Sequence, residues 1–265
     1  MTEVSSVSPM NSPASAKTTS AWVVTATYNE CENLPALLEG LMALPVALGV
    51  CIVDDGSPDG TGDIAEEWAR GRAGRAVVIH RPGKMGYASA HRDGMRAALK
   101  AGAEQIVTMD ADLSHDPRTI PVLLAALAEA DVAIGSRYVP GGRTENWSGF
   151  RMFLSRFGGG VVTRFLTGLR QADCTSGFRA YRSVTLLGAN PWSTRTEGYG
   201  FLVELLFRCQ RLGSRIVEVP ITFADRRAGH SKLSKRIILE SALLCFRLSV
   251  QRLRRAPRSY AGQER

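Results

Sequence analysis

Short apolar runs alternate with amphipathic stretches through the first half of the chain. Residues 21–27, 49–53, 76–80, 105–109 and 132–135 are mostly rich in Val and Ile with little polar alternation, the pattern of strands buried on both faces. Between them, residues 31–42, 62–70, 87–101 and 118–130 repeat apolar positions at helical spacing. This β-α-β-α rhythm predicts an α/β fold with an open, mostly parallel central sheet and helices on both faces. In such sheets ligands bind beyond the carboxyl ends of the strands, so the residues just after each run are where chemistry is sought.

The second half is less regular. Residues 147–167 read as helical, 177–181 as extended, 200–212 as helical and 216–223 as extended, with no internal repeat. Residues 235–255 read as one helix of about 30 Å. Leu239, Leu243, Phe246, Val250 and Leu253 gather on one face and Arg236, Glu240, Arg247, Gln251 and Arg254 on another, with Leu244 and Leu248 blurring the polar side. Such a helix either lies in a membrane interface or docks on the domain with its arginines in water.

Composition sets the bounds. At 265 residues, 45% hydrophobic and 22% charged, the chain fits one ordinary globular domain with tails. Residues 1–20, rich in Ser, Pro and Thr, read as a disordered arm, 21–233 as the globular domain and 234–265 as a basic amphipathic helix and tail. Five dispersed cysteines without a C-x-x-C pair suggest neither a disulfide framework nor a zinc site, and fit a cytoplasmic protein. The longest charge-free stretch, residues 40–53, is interrupted by Pro45 and Gly49 and is too short to span a bilayer.

Charge adds a location. Residues 225–265 hold 11 Lys and Arg against 3 Asp and Glu, while the preceding 224 residues balance at 22 of each sign. The basic character belongs to the end of the chain. That argues against a basic nucleic-acid-binding body and for a terminal segment that meets something anionic, either a membrane surface or a nucleic acid, or is simply solvated.

Two acidic pairs follow predicted strands: Asp54-Asp55 after the second and Asp110-Ala111-Asp112 after the fourth. Carboxylates at i and i+2 converge on one hard cation and leave positions open for phosphate oxygens. Gly83-Lys84-Met85-Gly86 follows the third strand, but matches neither the dinucleotide fingerprint nor the Walker loop. Arg137 after the fifth strand, and Arg226 with Lys232 further on, add cations of the kind that hold phosphates.

In order, T-A-T-Y-N-E (25–30), V-D-D-G-S-P-D-G-T (53–61), M-D-A-D-L-S-H (109–115), G-S-R-Y-V-P-G-G (135–142), D-C-T-S-G-F-R (173–179) and D-R with S-K (225–226, 231–232) closely resemble the polyprenol (dolichol) monophosphate mannose synthases. These are inverting glycosyltransferases of family 2 with a GT-A nucleotide-sugar-binding fold, and the resemblance covers about residues 21–233. It implies that Thr27, Tyr28, Glu30, Asp54, Asp55 and Lys84 lie around the nucleotide of the donor. It further implies that Asp110 and Asp112, with Ser114 as a third ligand, hold Mg or Mn on the donor diphosphate. Arg137, Arg226 and Lys232 are implied to face the donor diphosphate or the lipid phosphate. Donor and acceptor are then GDP-mannose and a polyprenyl phosphate, with peripheral attachment to the cytoplasmic face of a membrane through the basic helix or a separate membrane partner, and no nucleic acid.

Departures from the family pattern are Ala26 for a proline, Ala88 for a glycine, Ser114 where some members have glutamine, and Glu197-Gly198-Tyr199 for K-G-Y. Glu197 and Glu204 are acidic enough to be proposed as bases, but read as structural. Two other readings stay open at this point. One is a family 2 transferase using UDP-glucose or another nucleotide sugar; the other is a basic membrane- or nucleic-acid-binding protein whose transferase domain is inactive.

Overall fold

A computed structural model describes residues 20–147, 149, 152, 155–224 and 235–254. Arg226 and Lys232 lie outside the described residues, as does all of the expected N-terminal arm except Ser20.

The predicted strands form, β1 (Ala21–Thr27) and β3 (Ala76–His80) with the expected ends and β2 (Leu48–Asp54), β4 (Gln105–Asp110) and β5 (Val132–Ser136) with ends moved by one residue. The helices between them are α1 (Leu34–Met42), α2 (Thr61–Ala69), α3 (Tyr87–Lys100) and α4 (Ile120–Ala126). Helix α1 begins three residues later than the periodicity predicts, with Pro35 in its first turn. Helix α4 is shorter than expected, being preceded by a 3-10 turn at Pro117–Thr119. After β5 come β6 (Arg143–Glu145), a π-helical stretch Ser155–Val162, α5 (Thr163–Thr167), β7 (Arg179–Arg182), α6 (Ser183–Ala189) and α7 (Tyr199–Arg211). The chain continues through β8 (Ile216–Pro220), β9 (Thr222–Ala224) and α8 (Lys235–Arg254).

The main sheet has the order β3-β2-β1-β4-β7-β5-β8, and β6 pairs with β9 apart from it. All its strands run parallel except β7, which lies antiparallel between β4 and β5, with Tyr181 opposite both Ile106 and Val132. This reversal brings the segment before β7, residues 173–178, to the carboxyl edge of the neighbouring strands. The alternate residues of each buried strand serve two cores. Val23, Val50 and Ile52 pack with α1, α2 and α4, while Trp22, Val24, Cys51 and Val53 pack with α3, α7 and α8. Helix α3 approaches the sheet closely at Gly94, where an added Cβ would lie 2.4 Å from Val24 Cγ1.

Helix α8 corrects the expected facing. Among its described side chains Leu244, Cys245 and Leu248 are buried, Leu244 and Leu248 within the second of these cores, whereas Leu243 and Phe246 of the expected apolar stripe are exposed. The physical reason is the burial of Leu244 and Leu248 in the core they share with α7, with Arg247 beside them donating to Glu204 of α7 at 2.8 Å. Among the described residues no helix is long and apolar enough to cross a membrane.

Candidate active site

Strand register sets out the site. Thr27 stands opposite Asp54, Asp54 opposite His80, and Ala26 opposite Asp110, so the turns after β1, β2, β3 and β4 share one edge. The sheet order reverses between β1 and β4, which makes this edge the switch-point crevice.

On the β1–β3 side, the buried Asp54 carboxylate accepts from Thr27 Oγ1 at 3.0 Å and from Ser57 N–H at 3.0 Å, fixing the turn that presents Asp55. Asp55 lies 2.6 Å from Arg81 Nη1 and accepts from the Gly86 N–H at 3.1 Å. Arg81 also donates to Ser89 Oγ at 2.6 Å, so one buried guanidinium ties β2, β3 and α3 together. Sequence reasoning missed Arg81. The signal was present, since it directly follows β3 just as Asp55 follows β2.

Lys84 Nζ sits 4.2 Å from the centroid of the Tyr28 ring, closing the outer side of this corner. Beside Tyr28, Asn29 adopts φ +61°, a left-handed conformation that asparagine tolerates better than most residues. Its N–H donates to Ser57 Oγ at 3.0 Å, the Glu30 N–H to Thr61 Oγ1 at 2.9 Å and the Cys31 N–H to Asp59 Oδ2 at 3.1 Å. What burial Asp59 has works to raise its pKa, yet hydrogen bonds from Thr61 and Cys31 prevail and hold it at about 2.

On the β4 side, the chain turns sharply through Leu113 at φ +61°, which costs a non-glycine residue about 1–2 kcal/mol. The turn lets the Ser114 N–H donate to Asp112 Oδ1 at 3.1 Å. Ser114 Oγ is buried and has no hydrogen-bond partner among the described residues. Asp110, at the end of β4, borders Gly177 and Tyr87. A Cβ on Gly177 would lie 2.6 Å from Tyr87 Oη and 3.5 Å from Asp110 Oδ1, so only glycine fits there without displacement. Two carboxylates and an orphaned hydroxyl on one turn suit a hard divalent cation with positions left open. Among the described residues no group of three His, Cys, Asp or Glu could hold a metal.

Arg137, one residue beyond β5, faces Asp173. Its Nε and Nη2 donate to the two Asp173 oxygens at 2.7 Å each, and Nη2 donates to Thr175 Oγ1 at 3.0 Å. Tyr138, Trp147 and Phe223 surround the guanidinium with ring centroids 5.1–5.6 Å away. Burial works to raise the Asp173 pKa, but the Arg137 hydrogen bonds outweigh it and leave the carboxyl below its ordinary value. Arg137 thus anchors the segment before β7, a partnership that the motif spelling did not reveal. Glu204 accepts from the Arg195 N–H, Thr196 Oγ1, Arg208 and Arg247, and Glu197 pairs with Arg92 at 2.6 Å. Both glutamates tie elements together.

A mostly parallel sheet with acidic turns at its switch point defines a GT-A-like fold, and solved structures share it. Glucosyl-3-phosphoglycerate synthase from Mycobacterium tuberculosis, in complex with Mn2+, UDP and glucosyl-3-phosphoglycerate, superposes with a TM-score of 0.62 at 17% identity, covering 87% of this chain and 80% of that one. S. aureus TarS with UDP-GlcNAc gives 0.60 at 19% identity over 85% and 65%. The chain belongs to glycosyl transferase family 2, whose model matches residues 22–186. It is 45% identical to the undecaprenyl-phosphate mannosyltransferase of Micrococcus luteus over 82% of this chain and 88% of that protein. Identity to the polyprenol monophosphomannose synthase of Mycolicibacterium smegmatis is 42% over 83% of each chain. With the dolichol-phosphate mannosyltransferase of Pyrococcus furiosus it is 38%, over 85% of this chain and 62% of that protein. The resemblance read from the motifs is met by these relatives.

Proposed function

We propose that this chain transfers mannose from GDP-mannose to a polyprenyl monophosphate with inversion, giving polyprenyl phosphate mannose and GDP. The observation that carries this reading is the Asp110–Ser114 turn, with its two carboxylates and orphaned hydroxyl, in a chain 42–45% identical to enzymes named for that transfer.

In this reading Tyr28, Asp55 and Lys84 receive the nucleotide, with Thr27, Glu30 and Asp54 shaping their loops. Asp110, Asp112 and Ser114 hold Mg or Mn, which when bound offsets the charge of the departing diphosphate. A phosphate monoester carries about 1.5 to 2 negative charges near neutral pH, so the nucleophilic oxygen needs no proton removed. It attacks the anomeric carbon as the bond to the diphosphate breaks, and one in-line displacement inverts that carbon. The cations assigned to the phosphates are Arg137, Arg226 and Lys232. Arg137 acts here as part of the Asp173–Thr175 anchor; Arg226 and Lys232 carry the assignment on sequence alone.

The acceptor lies in a bilayer, and one exposed face suits it. Phe157, Val161 and Phe165 stand exposed on residues 155–167, and Leu243 and Phe246 on α8, which packs against α5. Phe165 is 82% and Phe246 69% exposed, with Arg156, Arg164 and Arg252 also in solvent. Apolar residues accompanied by arginines suit peripheral contact with an anionic leaflet, which is the cytoplasmic one, each basic residue near the surface contributing about 1 kcal/mol.

The deciding experiment incubates the protein in detergent with labelled GDP-mannose and a polyprenyl phosphate, with Mg or Mn and then with excess chelator, and runs UDP-glucose in parallel. Chelator-sensitive mannolipid formation is expected. Product from UDP-glucose alone would overturn the donor, and full activity in chelator would overturn the metal.

A further inference from the structure

His115 is 1% exposed and closes the Asp110–Ser114 turn from behind. Its Nδ1 accepts the Asp110 backbone N–H at 3.1 Å, which fixes the ring as the tautomer with its proton on Nε2. The ring stacks on Phe178 (centroids 4.9 Å apart, 23° between planes) and meets Phe223 edge-on (5.3 Å, 72°). Phe223 meets Trp147 edge-on at 5.6 Å. The backbones join too: His115 and Phe223 form an antiparallel bridge, and the Ala224 N–H reaches the Ser114 carbonyl at 3.4 Å. One side chain therefore touches β4 through a hydrogen bond, the segment before β7 through Phe178, and β9 through Phe223.

The turn it closes needs such a hold. Leu113 is in the left-handed region, Ser114 Oγ is left without a partner among the described residues, and Asp110 is the last residue of β4, where ladder pairing stops. Groups that orient metal ligands from outside are commonly worth 10- to 100-fold in metal affinity.

We propose that His115 is a positioning residue: by accepting the Asp110 N–H it holds the turn in its cation-receiving geometry, and by its ring it ties that turn to β9. The assignment rests on the proposed metal role of Asp110, Asp112 and Ser114, but its structural half does not. Two variants separate the functions of the side chain. His115→Phe keeps a ring for Phe178 and Phe223 and loses the acceptor. His115→Asn places an amide oxygen near the Nδ1 position and loses the ring.

Two readouts apply to the full chain. Backbone amide exchange over residues 110–115, without metal, reports the hold itself; electron paramagnetic resonance titration with Mn2+ and GDP reports its consequence. His115→Phe is expected to speed exchange in the turn but not in β1 or β2, and to weaken Mn2+ binding about 10-fold or more, with His115→Asn recovering most of both. Unchanged exchange in His115→Phe would overturn the proposal, because the packing of the ring would then account for the histidine; equal losses in both variants would overturn it too, because the acceptor restored in His115→Asn would then not hold the turn. If wild-type protein binds no Mn2+ with GDP, the metal reading fails while the exchange comparison still decides the hold. Should His115→Phe not fold, the Asn variant decides alone: wild-type exchange supports the proposal, and faster exchange in the turn overturns it.

Discussion

Asp55 and Arg81 show how single residues set this site. Their ion pair is 8% and 4% exposed, so neither charge has water to fall back on. Removing one partner from a buried pair typically costs about 3–5 kcal/mol, because the remaining charge stays desolvated. Arg81→Met is therefore expected to lower unfolding free energy by that amount in urea titration, and to weaken GDP binding because Asp55 loses its anchor. Asp112→Asn belongs to a different class. Asp112 is buried, but the amide oxygen of Asn can still accept the Ser114 N–H, so the fold should persist by circular dichroism. Transfer should fall about a hundredfold or more, since a bound cation supplies several kcal/mol of charge stabilisation. Asp110 and Asp112 were legible in the sequence because a D-x-D after a predicted strand is a local signal. The place of Arg81 at a strand end was legible too, but the partners of Arg81, of Asp173 and of the His115 ring were not. Each works through a partner that only the fold brings close, Asp173 by 36 residues of sequence separation from Arg137.

At the level of elements, helix α8 has two apolar stripes and one of them is in solvent. Leu248 is 1% exposed against α7 and α3-side core residues, whereas Phe246, two residues earlier, is 69% exposed. Leu248→Ala should destabilise the protein by about 2–5 kcal/mol in thermal or chemical melts. Leu243→Asp with Phe246→Asp should leave the melt unchanged within about 0.5 kcal/mol, and should abolish co-flotation with anionic vesicles. Retained flotation would assign the membrane contact elsewhere. The periodicity shows a helix here but not its facing, because that choice lies with the α7 core residues that Leu244 and Leu248 meet and with Glu204, 43 residues before its partner Arg247. The same limit explains β7. Its strand character is visible in the sequence at 177–181, but its direction depends on the two neighbours between which it inserts. The five strands of the first half were legible because continuous Val and Ile runs need both faces buried, and only a sheet covered by helices provides that.

The molecule as a whole carries ionisable groups whose burial ties stability to pH in both directions. His91 is buried with its Nδ1–H donating to the Tyr87 carbonyl, and burial holds its pKa below the ordinary 6.5. The unfolded chain thus takes up that proton first as pH falls, and stability declines below about pH 6.5. Asp59, held at about 2 against 3.8, adds a second loss between roughly pH 4 and 2, when its carboxylate releases Cys31 and Thr61. On the alkaline side, burial pushes the thiols of Cys51, Cys174 and Cys209 up to about 12 from 9.0. Folding keeps these three protonated while the unfolded chain ionises them, so stability present below about pH 9 is lost as pH rises toward 12. Urea unfolding from pH 5 to pH 10.5 should therefore trace a plateau between about 6.5 and 9 that falls on both sides. His91→Asn, whose amide can still donate to Tyr87, should flatten the acid shoulder, and Cys51→Ala should reduce the alkaline slope without moving the acid one. An acid shoulder unchanged in His91→Asn would mean that other groups, and not the buried imidazole, bind the extra proton.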